Sequence, residues 1–369
     1  MEKQITSRLG FGCMRLPVLE NNEIDMEQLK AMVDLALENG INYFDTAYGY
    51  HSERSEGAVK AALVDRYPRE KFLLADKMPM WLVEAEDSAE KLFATQLERT
   101  GAGYFDYYLL HALSKPRVEV ARKFNLVEFL KAKKAEGKIN KVGFSYHGDL
   151  ETLKDFIGDY PWDFIQLQLN YYDMEKEEYK VQYEFVRSKS IPVIVMEPVR
   201  GGFLARTVPE ALKIIDANYG ENKAAALALS YVDNLEGIML TLSGMSSLEQ
   251  LRDNINTFSN PIPMDEKAEK VIADAMEQIN AFKVVDCTKC EYCLPCPVGI
   301  DIPKAFEVYN SYEMFKNEWG LGEGLKTLEV KPDQCIGCGV CATKCPQFIA
   351  IPDRIADFNA VIEKVNNKG

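Results

Sequence analysis

The chain has 369 residues, with 43 Lys and Arg against 57 Asp and Glu, and a net charge of −14. At about 150 residues per domain this length suggests one large domain and a small one, and 47% apolar with 11% aromatic residues excludes disorder as the main state. The acidic balance argues against nucleic acid as a partner, which needs a basic face, and no stretch reaches the ~18–20 apolar residues of a membrane span. The opening Met1-Glu2-Lys3-Gln4-Ile5-Thr6 lacks the apolar core of a secretion signal, so a cytoplasmic location is expected.

From Arg8 to Gly244 eight β-like runs follow one another: Arg8–Met14, Ile41–Asp45, Phe72–Lys77, Tyr107–His111, Lys141–Ser145, Phe164–Gln168, Val193–Glu197 and Gly237–Gly244. They are rich in Val, Ile, Leu, Phe and Tyr and are too short for amphipathic helices. Between them lie helical patterns, among them Met26–Glu38, Glu86–Arg99, Lys123–Glu136 and Glu175–Lys189. Eight βα units in about 250 residues predict an α/β fold of the (β/α)8 TIM-barrel type. An open doubly wound sheet is the competitor; Gly10-Phe11-Gly12-Cys13 lacks the third glycine that its fingerprint needs. Asn260-Pro261-Ile262-Pro263 then breaks the pattern, and a further helix is predicted from about Asp265 to Phe282. The expected domains are 1–284 and 285–369.

Eight of the nine cysteines lie at or after Cys287; only Cys13 stands apart. This clustering points to metal rather than disulfides. The runs are Cys287-x2-Cys290-x2-Cys293-x2-Cys296-Pro297 and Cys335-x2-Cys338-x2-Cys341-x3-Cys345-Pro346. Zinc modules use separated Cys-x2-Cys pairs rather than four cysteines in one run. The second run has the bacterial ferredoxin spacing residue for residue, and the first is one residue shorter before its last cysteine. In two-cluster ferredoxins the fourth cysteine of each run serves the other cluster. That resemblance implies two [4Fe–4S] clusters, one on Cys287, Cys290, Cys293 and Cys345, the other on Cys335, Cys338, Cys341 and Cys296. The segment also repeats internally. Cys296-Pro297 through Ile302-Pro303 returns as Cys345-Pro346 through Ile351-Pro352, followed by Tyr309-Asn310 and Phe358-Asn359 at the matching offset. A pseudo-two-fold module follows, and the helical spacer from Asp301 to about Lys316 suggests a small C-terminal α-helical ferredoxin-like domain.

Leu9-Gly10-Phe11-Gly12-Cys13-Met14-Arg15-Leu16, with Ile41-Asn42-Tyr43-Phe44-Asp45-Thr46-Ala47-Tyr48-Gly49-Tyr50, resembles the aldo-keto reductase family over roughly residues 5–260. The whole chain resembles the subgroup with a C-terminal iron–sulfur extension. The resemblance implies a catalytic tetrad of Asp45, Tyr50, Lys77 and His111, each at or just beyond the C-terminal end of a predicted strand, where barrel enzymes place their chemistry. A phenol with pKa about 10 is a poor acid at neutral pH unless a cation favours its ionised form. Lys77 is the expected cation, Asp45 its holder, Tyr50 the proton donor, and neutral His111 the group orienting the carbonyl oxygen. Singly, each has a bland role as cap, rim residue, loop charge or core histidine; their occurrence together carries the reading. His51 and His147 are expected to be structural.

The same resemblance implies cofactor contacts at Gly12, Cys13, Met14 and Asp45. Ser145 and Gln166 would meet the nicotinamide carboxamide, and Pro198, Gly201 and Gly202 the pyrophosphate. Gly244, Ser246, Gln250 and Asn254 would hold the adenosine end, near a helix starting about Ser246. Three positions depart from the family pattern: Tyr146 where many members have Asn, Met196 where many have a stacking aromatic ring, and Gly244 where many NADPH-specific members have Lys. NADP and NAD therefore both stand as carriers, and the missing ring leaves room for flavin. The implied activity is NAD(P)H-linked reduction of a small carbonyl, or the reverse oxidation, accompanied by two clusters. The alternatives are a flavin- or ferredoxin-linked electron-transfer enzyme with a redox protein partner, and a non-catalytic redox or dinucleotide sensor.

Overall fold

Short apolar runs alternating with amphipathic helices close into a ring of eight parallel strands in the computed structural model, which describes residues 3–367. The first two and last two residues of the expected domains lie outside the described residues. The strands are β1 Leu9–Gly12, β2 Tyr43–Asp45, β3 Leu73–Met78, β4 Phe105–Leu113, β5 Ile139–Tyr146, β6 Phe164–Gln168, β7 Val193–Met196 and β8 Ile238–Gly244. Each predicted run overlaps one of them, and β3, β4 and β5 extend beyond their runs. Closure is made by β8 on β1, with Leu9 opposite Thr241 and Gly12 opposite Gly244.

Parallel strands buried on both faces read as continuous apolar runs, which is why alternation was absent from the sequence. Period two nevertheless sorts their side chains. Tyr43, Leu73, Ala75, Tyr107, Leu109, Phe164, Ile194, Leu240 and Leu242 form one core cluster, the filling of the barrel. Gly143 in β5 belongs to the same parity, and a Cβ there would come within 2.6–2.7 Å of the Phe164 backbone oxygen and ring. The outward parity packs against the helices in a second, larger cluster.

The helix Met26–Glu38 appears as predicted, capped by Asp25 accepting from the Gln28 amide. The helix expected over Lys123–Glu136 appears as Leu126–Ala135, preceded by a further helix over Lys115–Lys123. They break at Asn125, whose φ of +51° suits an Asn and ends the first helix. The helix expected near Ser246 runs over Leu248–Ser259, and Ser247 caps it by accepting from Gln250 N.

The described chain divides into two compact units. One holds the barrel strands, up to Pro198 and again over Ala226–Met264. The other combines Val199–Ala225 with everything from Asp265 onward. The expected boundary near Val285 marks a change of sequence pattern; ahead of it, helices Pro209–Tyr219 and Glu266–Asn280 already pack on each other in the second unit.

The repeat has a structural counterpart. Helices Ile302–Phe315 and Ile351–Asn366 each begin six residues after the last cysteine of a run, with a proline in the first turn. The Tyr309 and Phe358 rings meet with centroids 5.3 Å apart. Asn310 clamps both backbone groups of Val285, and Asn359 donates to Pro332 O, so each asparagine holds the chain entering a cysteine run. Left-handed backbone recurs at equal offsets, Lys289 and Glu291 in the first run against Gly337 and Gly339 in the second. Among the described residues no helix is long and apolar enough to cross a membrane.

Candidate functional site

The parity that fills the barrel also selects what crowns it. Two residues beyond the filling layer, β2 ends in Asp45, β3 offers Lys77, β4 His111, β5 Ser145, and β6 Gln166 and Gln168. All are buried. Lys77 Nζ donates to Asp45 Oδ1 at 2.5 Å and to Thr46 O at 2.8 Å. The same ammonium lies 4.9 Å from the centre of the Tyr50 ring, and the Tyr50 and His111 rings meet edge to face at 5.9 Å. The structure thus brings all four residues of the expected tetrad together. Tyr50 reaches the group from the loop after β2, where His51, Ser52 and Glu53 all have positive φ. Three consecutive non-glycine residues in that region are costly. They are held by His51 Nε2 accepting from Leu16 N at 2.9 Å and His51 O accepting from Arg54 Nε at 2.8 Å.

Burial governs the protonation states. It pushes the Tyr50 phenol well above its ordinary value, with Asp45 and Glu197 adding to the shift. Lys77, whose ammonium faces the Tyr50 ring, is at the same time paired with Asp45. At rest the Tyr50 phenol therefore keeps its proton. Burial also lifts the Asp45 carboxyl, against the opposing pull of Lys77. His111 is held well below its usual range by burial, with Lys77, Arg117 and His147 adding to the effect, and so is neutral as expected.

Several supporting residues were not legible in the sequence. Trp81, just after β3, lies 5.2 Å from the His111 ring and carries the Arg117 guanidinium at 5.6 Å; it is 38% exposed and offers an aromatic wall. Behind Lys77, Gln96 Nε2 donates to Lys77 O, to Asp76 Oδ1 and to Glu56 Oε1. Tyr108 OH donates to Gln96 Oε1 at 2.5 Å, and Arg99 pairs with Glu56 at 3.1 Å. Burial and the neighbouring Glu56 push the Asp76 carboxyl well above its ordinary range. This largely buried network fixes the end of β3.

Ser145 Oγ accepts from Ala112 N at 2.7 Å, leaving its own proton to give. Gln166 Oε1 is buried and has no hydrogen-bond partner among the described residues. These two groups fit a carboxamide, which can both accept and donate. Cys13 is buried, its thiol pushed up by burial, and Met14 is half-buried beside it. Gly12 lies against β8, where a Cβ would come 3.1 Å from Ser243 O. Gly244, Ser246 and Gln250 are exposed; Gln250 Oε1 accepts from Ser246 N, while buried Asn254 donates to Ser243 Oγ. At Gly244 a Cβ would press on the Arg15 side chain at 3.0–3.2 Å, and Arg15 continues to Glu197 at 2.9 Å. An arginine paired with a carboxylate thus lies over Gly244. Pro198 is buried at the end of the first unit, and Gly201 and Gly202 belong to the second. Gly201 is needed there by Thr288, whose carbonyl oxygen would lie 2.4 Å from a Cβ. Tyr146, at the end of β5, turns its hydroxyl to Asp149 O at 2.6 Å.

The three histidines are all held neutral. Burial, with Arg54 and Arg15, lowers His51 to about 4, and burial with Arg117 lowers His147 to about 3. Between about pH 6.5 and these values the unfolded chain binds protons that the native chain does not, so each histidine makes stability fall as pH falls. Between pH 7 and 5, His51→Gln is expected to lose less Tm than the parent protein, measured anaerobically side by side. An equal loss would remove His51 from the account.

In the second unit a pocket is lined by Cys287, Cys290, Cys293 and Cys345 together with Ile302 and Phe306. Cys345 of the second run thus joins the three cysteines of the first, as the crossed assignment expects. Cys335 and Cys338 act electrostatically on Cys341, and Cys296 packs half-buried on the same apolar core as Cys335. Among the described residues no group of three His, Cys, Asp or Glu converges as a single ion requires. Four sulfurs around an apolar-walled space suit a polynuclear cluster better than one zinc, whose sulfurs sit about 2.3 Å from a common centre.

The aldo/keto reductase family pattern matches residues 8–274, and a 4Fe-4S dicluster domain matches residues 286–351. The chain is 25% identical over 325 residues to the NADH-specific methylglyoxal reductase of Escherichia coli, covering 74% of this chain and 96% of that protein. It is 27% identical over 264 residues to an uncharacterised oxidoreductase of Schizosaccharomyces pombe, covering 68% of this chain and 81% of the relative. Among solved structures it resembles the holo form of an aldo-keto reductase of Bacillus halodurans, with TM-score 0.59, 24% identity and coverage of 74% and 95%. An aldo-keto reductase of Klebsiella pneumoniae in complex with NADPH matches with TM-score 0.57, 19% identity and coverage of 76% and 95%.

Proposed function

The chain belongs to the aldo/keto reductase family, and from that premise we propose that it reduces a small carbonyl to an alcohol with NADH or NADPH, Tyr50 giving the proton. The observation that carries this reading is the buried Asp45–Lys77 pair beneath a protonated Tyr50 and beside a neutral His111. Bound nicotinamide supplies the hydride. Ser145 and the unpartnered Gln166 Oε1 orient its carboxamide, with Gly12, Cys13, Met14, Asp45, Pro198, Gly244, Ser246, Gln250 and Asn254 as further contacts. His111 donates a hydrogen bond to the carbonyl oxygen and fixes it for Tyr50. As negative charge develops on that oxygen, the phenol proton moves to it and Lys77 steadies the phenolate left behind. Trp81 shields one side from water. None of the relatives named above is described with flavin. Beside Gly244 the Arg15 guanidinium is already paired with Glu197, and NADH is the expected carrier.

In the dicluster domain we read two [4Fe–4S] clusters, one on Cys287, Cys290, Cys293 and Cys345, the other on Cys335, Cys338, Cys341 and Cys296. They supply one-electron transfer.

The test is anaerobic oxidation of NADH and NADPH against aldehydes and ketones, methylglyoxal among them. Tyr50→Phe is expected to lower turnover by about 10²–10⁴-fold while cofactor binding stays unchanged. Turnover retained by that variant removes Tyr50 from the chemistry, and a silent panel removes the carbonyl reductase reading.

A further inference from the structure

Four residues beyond the end of β7, in the second unit, the chain turns through three left-handed residues, Arg200, Gly201 and Gly202. Arg200 is only 2% exposed, an unusual place for a guanidinium. Its Nη2 lies 3.5 Å from Asp286 O and 3.6 Å from the Asp286 carboxylate, at the residue just before Cys287. Gly201 fits against the residue just after Cys287, since its missing Cβ leaves space for Thr288 O. The loop therefore grips the first cysteine of the run from both sides. The other nearby cation, Lys289, is half-exposed and paired with Glu307. Among the described residues of the second unit, Arg200 is the one charged side chain that is buried.

We propose that Arg200 holds the reduction potential of the cluster bound by Cys287, Cys290, Cys293 and Cys345 above that of the other cluster, so that an electron entering the domain comes to rest there. This rests on the cluster reading given above. A cluster carried by four thiolates is already negative, and one further electron makes it more so. A buried cation favours the more negative state, and its field is little screened inside the protein. Asp286 opposes it weakly, because its carboxylate is partly exposed to water. The step is one electron leaving the reduced cluster of Cys335, Cys338, Cys341 and Cys296 and reducing the oxidised cluster beside Arg200. No proton or atom moves, and the electron comes from a one-electron reductant, dithionite in the test.

The experiment is an anaerobic redox titration of the full chain followed by electron paramagnetic resonance. The signal of each cluster is identified from what Cys290→Ser and Cys338→Ser remove. Arg200→Gln is expected to lower the midpoint of the first cluster alone by at least about 59 mV, a tenfold change in a one-electron equilibrium. Arg200→Lys should retain most of the parent value. Unmoved midpoints, or equal falls in both clusters at intact iron content, overturn the proposal. Should Arg200→Gln fail to assemble, Asp286→Asn decides by the opposite sign. Freed of its counter-charge, Arg200 should raise the first midpoint alone, and no rise overturns the proposal. Protein lacking that cluster overturns both this inference and the cluster reading. If Cys345 proves not to be its fourth ligand, the ligand set falls while a shift confined to the Cys290 cluster still stands.

Discussion

Asp45→Asn is expected to destabilise the first unit by about 3–5 kcal/mol, because it strands a buried ammonium. Lys77 and Asp45 are both shut away from water, with the ammonium 2.5 Å from one carboxylate oxygen and 2.8 Å from the Thr46 carbonyl. A carbonyl offers a dipole where a charge is needed, so the variant must deprotonate Lys77 or admit water. The double change Asp45→Asn with Lys77→Met removes both charges and leaves a side chain of similar length; it should recover much of the loss, since a buried pair is worth little net over well-packed apolar groups. Both variants should be inactive, yet differ in urea midpoint. That difference separates holding the site together from doing its chemistry. An Asp45→Asn protein as stable as its parent would mean that Lys77 is not held by charge, and the proposed role of the pair would go with it.

The barrel was legible because eight apolar runs spaced by amphipathic helices admit few other arrangements, and the tetrad because a strand end is marked by the run that precedes it. The same logic shows what could not be read. Asp76 and Lys77 are neighbours in sequence but point to opposite faces of β3, one into the barrel mouth and one into the layer of helices. The partners of Asp76, namely Glu56, Gln96 and Tyr108, are distant in sequence, and no spacing announces them. Trp81 was passed over for a related reason: nothing in Met80-Trp81 says which ring it will face. The sequence supplies a cation and a phenol, but only the structure shows how completely Asp45 claims the cation. Arg200 shows the strongest case, since its burial depends on a loop eighty-odd residues away that carries Asp286 and Thr288. The cysteine runs lie at the other extreme, because their spacing is itself the geometry. Even the left-handed positions repeat, and the second run fills with Gly337 and Gly339 what the first fills with Lys289 and Glu291.

Cys345→Ser is the second large effect, and it tests how those runs are wired. If the fourth ligand crosses over, this variant loses the cluster of the first run although the serine lies in the second, and bound iron falls from about eight to about four per chain. Its remaining resonance signal should then match that of Cys290→Ser. Cys296→Ser should by the same argument match Cys338→Ser. Uncrossed ligation predicts the reverse pairing, with Cys345→Ser matching Cys338→Ser, so the two arrangements cannot be confused. The pocket lined by Cys287, Cys290, Cys293 and Cys345 supports the crossed form. So does the repeat, because the matching rings of its two copies, Tyr309 and Phe358, meet at 5.3 Å. Losing either cluster should also loosen the small core around Phe306 and Phe358, since metal binding and folding share one free energy. Proteolysis in the second unit should therefore accelerate in both cysteine variants. Protease resistance equal to that of the parent would make the clusters passengers in the domain rather than part of its framework.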